Sequence, residues 1–183
     1  VGSMNLPTGR TDDPDILTDI GFGDGTWDFF AGLSMDELIG GPFFLNQSFQ
    51  YTYQAPADRQ LRMKTEEEPI AVGKEKVSYK LGDKIDAQTS LQMESRGGLL
   101  GGLGYAFYHK FKDQYDAGES SNLYEENTEQ QVHWAESFVG YSSVTAYRLG
   151  LSKVPYAGQV SYRKHLQSRN TPLSDMLQFE MKV

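Results

Sequence analysis

The chain has 183 residues, 38% of them apolar and 13% aromatic, with 19 glycines, no cysteine and a formal charge of −8 at a pI near 4.9. That length suits one domain over residues 1–183, the acidic balance offers no basic stripe to neutralise phosphates and so excludes nucleic acid, and the missing cysteines exclude disulfides and thiolate metal sites. No run approaches the ~20 consecutive apolar residues of a transmembrane helix, and the amino terminus Val1-Gly2-Ser3-Met4 lacks a signal-peptide pattern.

Leu6-Pro7-Thr8-Gly9 closes a short first strand and opens a polar loop over 10–25 rich in Asp (Asp12, Asp13, Asp15, Asp19, Asp24). Trp27, Phe29, Ala31 and Leu33 then alternate with Asp28, Phe30, Gly32 and Ser34 as a second strand, and Asp36 to Pro42 is expected to be a tight connection. From Phe43 to Gln54 the apolar Phe43, Leu45, Phe49, Tyr51 and Tyr53 fall on one face. Phe44, Asn46, Ser48, Gln50, Thr52 and Gln54 fall on the other. Because successive strand side chains point to opposite sides, such alternation specifies a two-faced sheet.

A long loop over 55–71, carrying Glu66, Glu67 and Glu68, leads to Val77, Tyr79 and Leu81 alternating with Lys76, Ser78 and Lys80. Gly82-Asp83-Lys84 is expected to be a three-residue hairpin loop, setting Leu81 opposite Ile85, Tyr79 opposite Ala87 and Lys80 opposite Asp86. In the strand that follows, Ile85, Ala87, Thr89, Leu91 and Met93 alternate with Asp86, Gln88, Ser90, Gln92 and Glu94. Residues 97–129 are long, glycine-rich and then acidic, with Leu99 to Phe111 fitting a strand and a short amphipathic helix equally well.

Residues 131–149 read as a strand with Val139, Tyr141, Tyr147 and Leu149 on one face. Trp134 and Phe138 fall on the wrong side, which a bulge or a turn at Ser142-Ser143 would repair. Strands over 156–166 and 175–183, separated by a loop at 168–172, complete the pattern. Short turns alternate with long loops, the asymmetry of outer-membrane barrels. The expected fold is therefore all-β: an antiparallel transmembrane β-barrel of eight strands, or ten if the Leu99 to Phe111 strand and a break at Ser142 are both real.

Apolar-out and polar-in is the reading for a membrane; a soluble barrel around a hydrophobic ligand would use the same strands with the faces exchanged. On the membrane reading, the lipid-facing residues are Phe43, Leu45, Phe49, Tyr51, Tyr53, Tyr79, Leu81, Ile85, Leu91, Met93, Leu177, Phe179 and Met181. The lumen is lined by Asn46, Ser48, Gln50, Lys76, Lys80, Asp86, Gln88, Gln92, Glu94, Gln159, Arg163, Gln178, Glu180 and Lys182. Both signs of charge occur among these, so strong ion selectivity is not expected. In a small barrel such side chains simply fill the interior; a larger one leaves a water-filled path.

Other motifs reduce to turn or surface chemistry. Gly97-Gly98 and Gly101-Gly102 lie in no βαβ setting and form no dinucleotide fingerprint. The acidic run from Asp12 to Asp24 could hold calcium, but its spacing matches no EF-hand, so it reads as a solvated loop, as do Glu66 to Glu68. His133 shares a face with Ser137 and His165 with Ser161, yet four residues of strand separate each pair by about 13 Å, too far for a dyad. No catalytic residue, metal site or cofactor is expected, and the chain does not read as an enzyme.

Leu6-Pro7-Thr8-Gly9, the string Gly21-Phe22-Gly23-Asp24-Gly25-Thr26-Trp27-Asp28-Phe29 and Arg169-Asn170-Thr171-Pro172, with the two-faced strands between them, resemble the outer-membrane barrel family of MetA-pathway phenol-degradation proteins. The likeness spans most of the chain but rests on loop glycines and strand ends. It implies a Gram-negative outer-membrane barrel that passes or binds small molecules, aromatic ones included, among lipid and lipopolysaccharide, and it brings no catalytic or binding residues. It also implies strands before Leu6 and an aromatic final residue, whereas the sequence starts at Val1 and stops at Val183. A natural barrel of about twelve strands is therefore an expectation beside that of eight. A second expectation, from the length of the loops over 55–71 and 97–130, is a non-conducting scaffold that binds a protein partner there.

Overall fold

A computed structural model describes residues 1–9, 23–62 and 73–182, with the side chains of Glu119 and Lys182 outside the description. The strands are β1 (Gly2–Asn5), β2 (Asp28–Gly40), β3 (Phe43–Gln54), β4 (Ala57–Arg62), β5 (Lys74–Lys80), β6 (Lys84–Glu94), β7 (Leu99–Lys110), β8 (Gln114–Asp116), β9 (Gln130–Ser142), β10 (Ala157–Arg169) and β11 (Met176–Lys182). Two one-turn helices, α1 (Ser121–Glu125) and α2 (Val144–Arg148), accompany them.

Eight strands form one sheet in the order β1-β2-β3-β6-β7-β9-β10-β11, and three form another in the order β4-β5-β8. The large sheet is an antiparallel meander once β4, β5 and β8 are set aside. Its edges are β1 and β11, and neither sheet closes into a barrel among the described residues. The expected closed eight-stranded barrel is thus an eight-stranded open sheet here. By compactness the chain divides into two units, one of Val1–Gly32, Gln50–Ile85 and His109–Gln130, the other of Leu33–Phe49, Asp86–Tyr108 and Gln131–Val183.

The expected tight connection at 36–42 is mostly strand: β2 continues to Gly40 and the turn is confined to Gly41 and Pro42. Leu99 to Lys110 is strand rather than helix. Its glycines supply room: a Cβ at Gly102 would lie 2.6 Å from the Phe138 ring and 2.7 Å from the Leu91 carbonyl oxygen. The expected strand over 131–149 stops at Ser142, and Tyr147 and Leu149 lie exposed in and just after α2. Ser143 makes the break by accepting from the Tyr156 N–H and donating to the Val154 carbonyl.

The hairpin expected at Gly82-Asp83-Lys84 does not form. β5 pairs with β4 and β8, with Tyr79 opposite Ala57 and Tyr115, while β6 lies between β3 and β7. The 81–83 segment is instead a junction. Gly82 N–H donates to Asp113 at 2.7 Å, the Phe111 N–H donates to the Asp83 carbonyl, and a Cβ on Gly82 would stand 1.8 Å from the Phe111 oxygen. Asp83 accepts from Tyr51, Lys80 and the Gln54 N–H, so its carboxylate ties β3 to the end of β5.

The small sheet has its own apolar core of Val77, Tyr79, Tyr115 and Ala117. Tyr79, expected against lipid, is 2% exposed there, and Leu81 packs on the same cluster. The alternation of Val77 and Tyr79 was therefore a correct strand signal assigned to the wrong apolar environment. Tyr79 stacks on Tyr115 at 5.9 Å, Arg59 lies 4.9 Å over the Tyr79 ring, and the Arg59 guanidinium donates to the Tyr115 hydroxyl. Offset stacking and cation–π contact each add about 0.5–1.5 kcal/mol to the area buried.

Candidate functional site

The second unit presents a polar face built by alternate residues of β6, β9, β10 and β11. Register fixes which side chains share it: Gln159 stands opposite Gly140 and Glu180, Ser161 opposite Phe138 and Gln178, and Arg163 opposite Glu136. A cavity of about 200 Å³ opens on this face, with Gln88, Gln92, Glu94 and Gln159 in its wall. These four were expected in the lumen. Ser90, Glu136 and Phe138 line it too and are not among the expected lumen residues. Glu136 was legible only as the polar member of a segment whose aromatics, Trp134 and Phe138, looked misplaced.

The two aromatics belong on this face. Phe138 fills the space that Gly102 leaves, and Trp134 carries the Arg163 guanidinium 5.9 Å above its ring. Arg163 also pairs with Glu136 at 3.0 Å. Gln159 donates to Glu180 at 3.2 Å, Gln92 donates to Ser90 at 3.3 Å, and Asn46 donates to Asp36 at 2.5 Å. The result is a hydrogen-bonded wall of amide, carboxylate, hydroxyl and guanidinium groups.

The remaining expected lumen residues are dispersed. Ser48, Gln50, Asp86 and Gln178 are exposed. Lys76 and Lys80 lie in the small sheet, where Lys76 pairs with Asp58 and Lys80 with Asp83. Their alternation in β5 was read as continuing into β6, but the junction at Gly82 separates the two strands. The Lys182 side chain, like the acidic residues Asp12 to Asp19 and Glu66 to Glu68, lies outside the described residues.

The opposite face of the same strands is apolar and uncovered. Val160 stands between Val139 and Phe179, and Tyr162 stands opposite Leu177. Phe179 is 73% and Met181 79% exposed, with Phe43, Phe49, Tyr53, Leu91 and Leu177 also exposed. Leu45, Tyr51, Ile85 and Met93 are half-buried, and Met93 contributes to the cavity wall. An open apolar trough of about 520 Å³ runs over Gly158, bordered by Tyr141, Val160, Phe179 and Met181.

His133 is engaged by the Tyr105 hydroxyl at 2.5 Å and by Gln131 at 2.9 Å. Its neighbours are therefore aromatic and amide groups, with Phe107 at 5.0 Å. Among the described residues no three His, Asp or Glu side chains gather as a metal-holding cluster, and no helix is long and apolar enough to cross a membrane. No protein-family model matches the chain, and comparison with the curated proteins finds none that matches.

Proposed function

We propose that this chain forms the wall of a β-barrel conduit in the bacterial outer membrane, passing small water-soluble molecules, aromatic ones included, along its polar face. The observation that carries the reading is the inverted burial of the strands. Thr52, Gln54, Ser90 and Ser161 are buried, while the alternating Tyr53, Leu91, Val160 and Tyr162 are exposed. Isolated exposed apolar residues are ordinary, but contiguous apolar faces are not, and polar groups bury only where partners await them. Strands that meet lipid on one side and water on the other need this inversion. The trough over Gly158 has the apolar walls that an acyl chain would contact, and lipopolysaccharide would meet the strand ends.

The reading requires the large sheet to close in the bilayer, alone or with further strands. Hydrocarbon offers no hydrogen bonds to the free N–H and C=O groups along β1 and β11. The resemblance carried by Leu6-Pro7-Thr8-Gly9 and Arg169-Asn170-Thr171-Pro172 points the same way. The test is conductance across planar bilayers together with swelling of loaded liposomes. Stepwise conductance and permeation of a small polar solute support the reading. A folded, vesicle-inserted protein that passes neither ions nor solutes removes it.

One observation favours a second reading, a non-conducting module that binds a protein partner. The segments expected to be plain loops build β4 and β8, which pair with β5 around a separate aromatic core, more structure than a connection needs. Deleting residues 57–80 and replacing them with a short linker separates the two. A partner-binding module loses its binding and a conduit keeps its conductance.

A further inference from the structure

At the ends of β2 and β3 the first unit buries a polar cluster with an imbalance of charge and of hydrogen bonds. Asp28 is 8% exposed, Thr26 2% and Gln54 0%. The Thr26 hydroxyl and the Gln54 side-chain amide both donate to Asp28 Oδ1, each at 3.1 Å. Among the described residues no lysine, arginine or histidine pairs with Asp28. Lys80, which reaches the same strand end, is committed to Asp83, the carboxylate that also accepts the Gln54 N–H. A buried carboxylate without a cation is costly, because hydrogen bonds from neutral groups replace only part of its hydration.

The second irregularity is on Gln54. Its Oε1 is buried and has no hydrogen-bond partner. The other end of the same amide donates to Asp28, so the orphaned oxygen belongs to a group already in contact with the unbalanced carboxylate. A side chain with no solvent contact normally has both ends satisfied. One species answers both deficits at once: a positively charged group that accepts lone pairs from oxygen.

We infer that Asp28, the Gln54 amide oxygen and the Thr26 hydroxyl form a binding site for a hard cation of the calcium class, completed by water. The ligands are all oxygen, one charged and two neutral, which suits such an ion and not a softer metal that prefers imidazole or thiolate. The Thr26 hydroxyl donates its hydrogen bond to Asp28 Oδ1 and keeps its lone pairs for the ion. A single carboxylate and a water-completed shell imply weak binding, with a dissociation constant of about 10⁻⁴–10⁻³ M, the range of extracellular calcium modules. The site does not depend on the conduit reading, since it uses only the start of β2 and the end of β3 within the first unit.

The test is calcium titration of the full chain, followed by calorimetry and by the calcium-induced rise in unfolding temperature, on the parent, Asp28→Asn and Gln54→Glu proteins. The parent is expected to bind saturably. Asp28→Asn should bind about ten-fold more weakly, and Gln54→Glu, which adds a charged oxygen of the same shape, about ten-fold more tightly, because affinity follows the charge of the ligand set. Gln54→Glu should also be less stable than the parent without calcium and regain that loss with it. Should Asp28→Asn not fold, the Gln54→Glu comparison stands alone. No saturable binding by the folded parent, calcium binding that Asp28→Asn leaves unchanged, or a Gln54→Glu protein destabilised equally with and without calcium would each overturn the inference.

Discussion

Replacing Val160 with arginine separates a lipid-facing strand from a merely exposed one. Val160 sits mid-trough with Val139 and Phe179 on either side and is 36% exposed. In water the substitution would cost little, within about 0.5 kcal/mol, as surface changes generally do. In a bilayer a guanidinium on the lipid face costs about 2–4 kcal/mol near the midplane and about 0–1 kcal/mol near the headgroups. Loss of the remaining valine contact supplies at most about 1 kcal/mol of that. We expect Val160→Arg to lose about 2–4 kcal/mol in reversible denaturant unfolding from lipid vesicles, read by Trp27 and Trp134 fluorescence. A change within about 0.5 kcal/mol in vesicles would refute the assignment of this face to lipid.

Three further outcomes follow from the first unit. Tyr79→Ala removes the stacked, 2%-exposed ring at the centre of the small sheet and should cost that sheet about 3–5 kcal/mol, seen as lost hydrogen-exchange protection over 57–62 and 74–80. Gly82→Ala drives a Cβ against the Phe111 backbone and should destabilise by about 1–3 kcal/mol or more, whereas Gly73→Ala, with nothing within 4 Å, should fall within about 0.5 kcal/mol in the same thermal scan. The Asp83 carboxyl is pushed up by burial but pulled further down by the bonds from Lys80, Tyr51 and the Gln54 N–H, so it lies below the ordinary carboxylate range. Its contribution to stability is therefore complete above the unfolded value of about 3.9 and is lost as pH falls through the lower folded value. Unfolding titrations of parent and Asp83→Asn should diverge above pH about 4 and converge in stronger acid.

Period-two alternation made the long strands legible, because side-chain direction in a strand is set by the backbone alone. Phe43 to Gln54 was readable to the residue, as was the placing of Gln88, Gln92, Glu94 and Gln159 on one side. Partnership between strands was not legible. Lys80 and Asp86 have complementary charge at hairpin spacing, and nothing local reveals that the Phe111 backbone crosses at Gly82 and diverts β5 to β4. The same limit hid the core of the small sheet, since Tyr79 and Tyr115 are far apart in sequence and meet only through that diversion. Trp134 and Phe138 looked like an error of register because their partners, Arg163 and the empty place at Gly102, lie on other strands. Asp28 and Gln54 gave no signal as a pair for the same reason.

The chain contains no cysteine, so single cysteines at 90 through 92 and at 159 through 162 can each carry a spin label on an otherwise silent protein. Collision rates in vesicles with oxygen, which concentrates in lipid, and with a water-soluble nickel chelate measure directly what each face touches. The account predicts oxygen contact at Leu91, Val160 and Tyr162 and nickel contact at Ser90, Gln92, Gln159 and Ser161. The opposite phase, or no alternation between neighbouring positions, would contradict it.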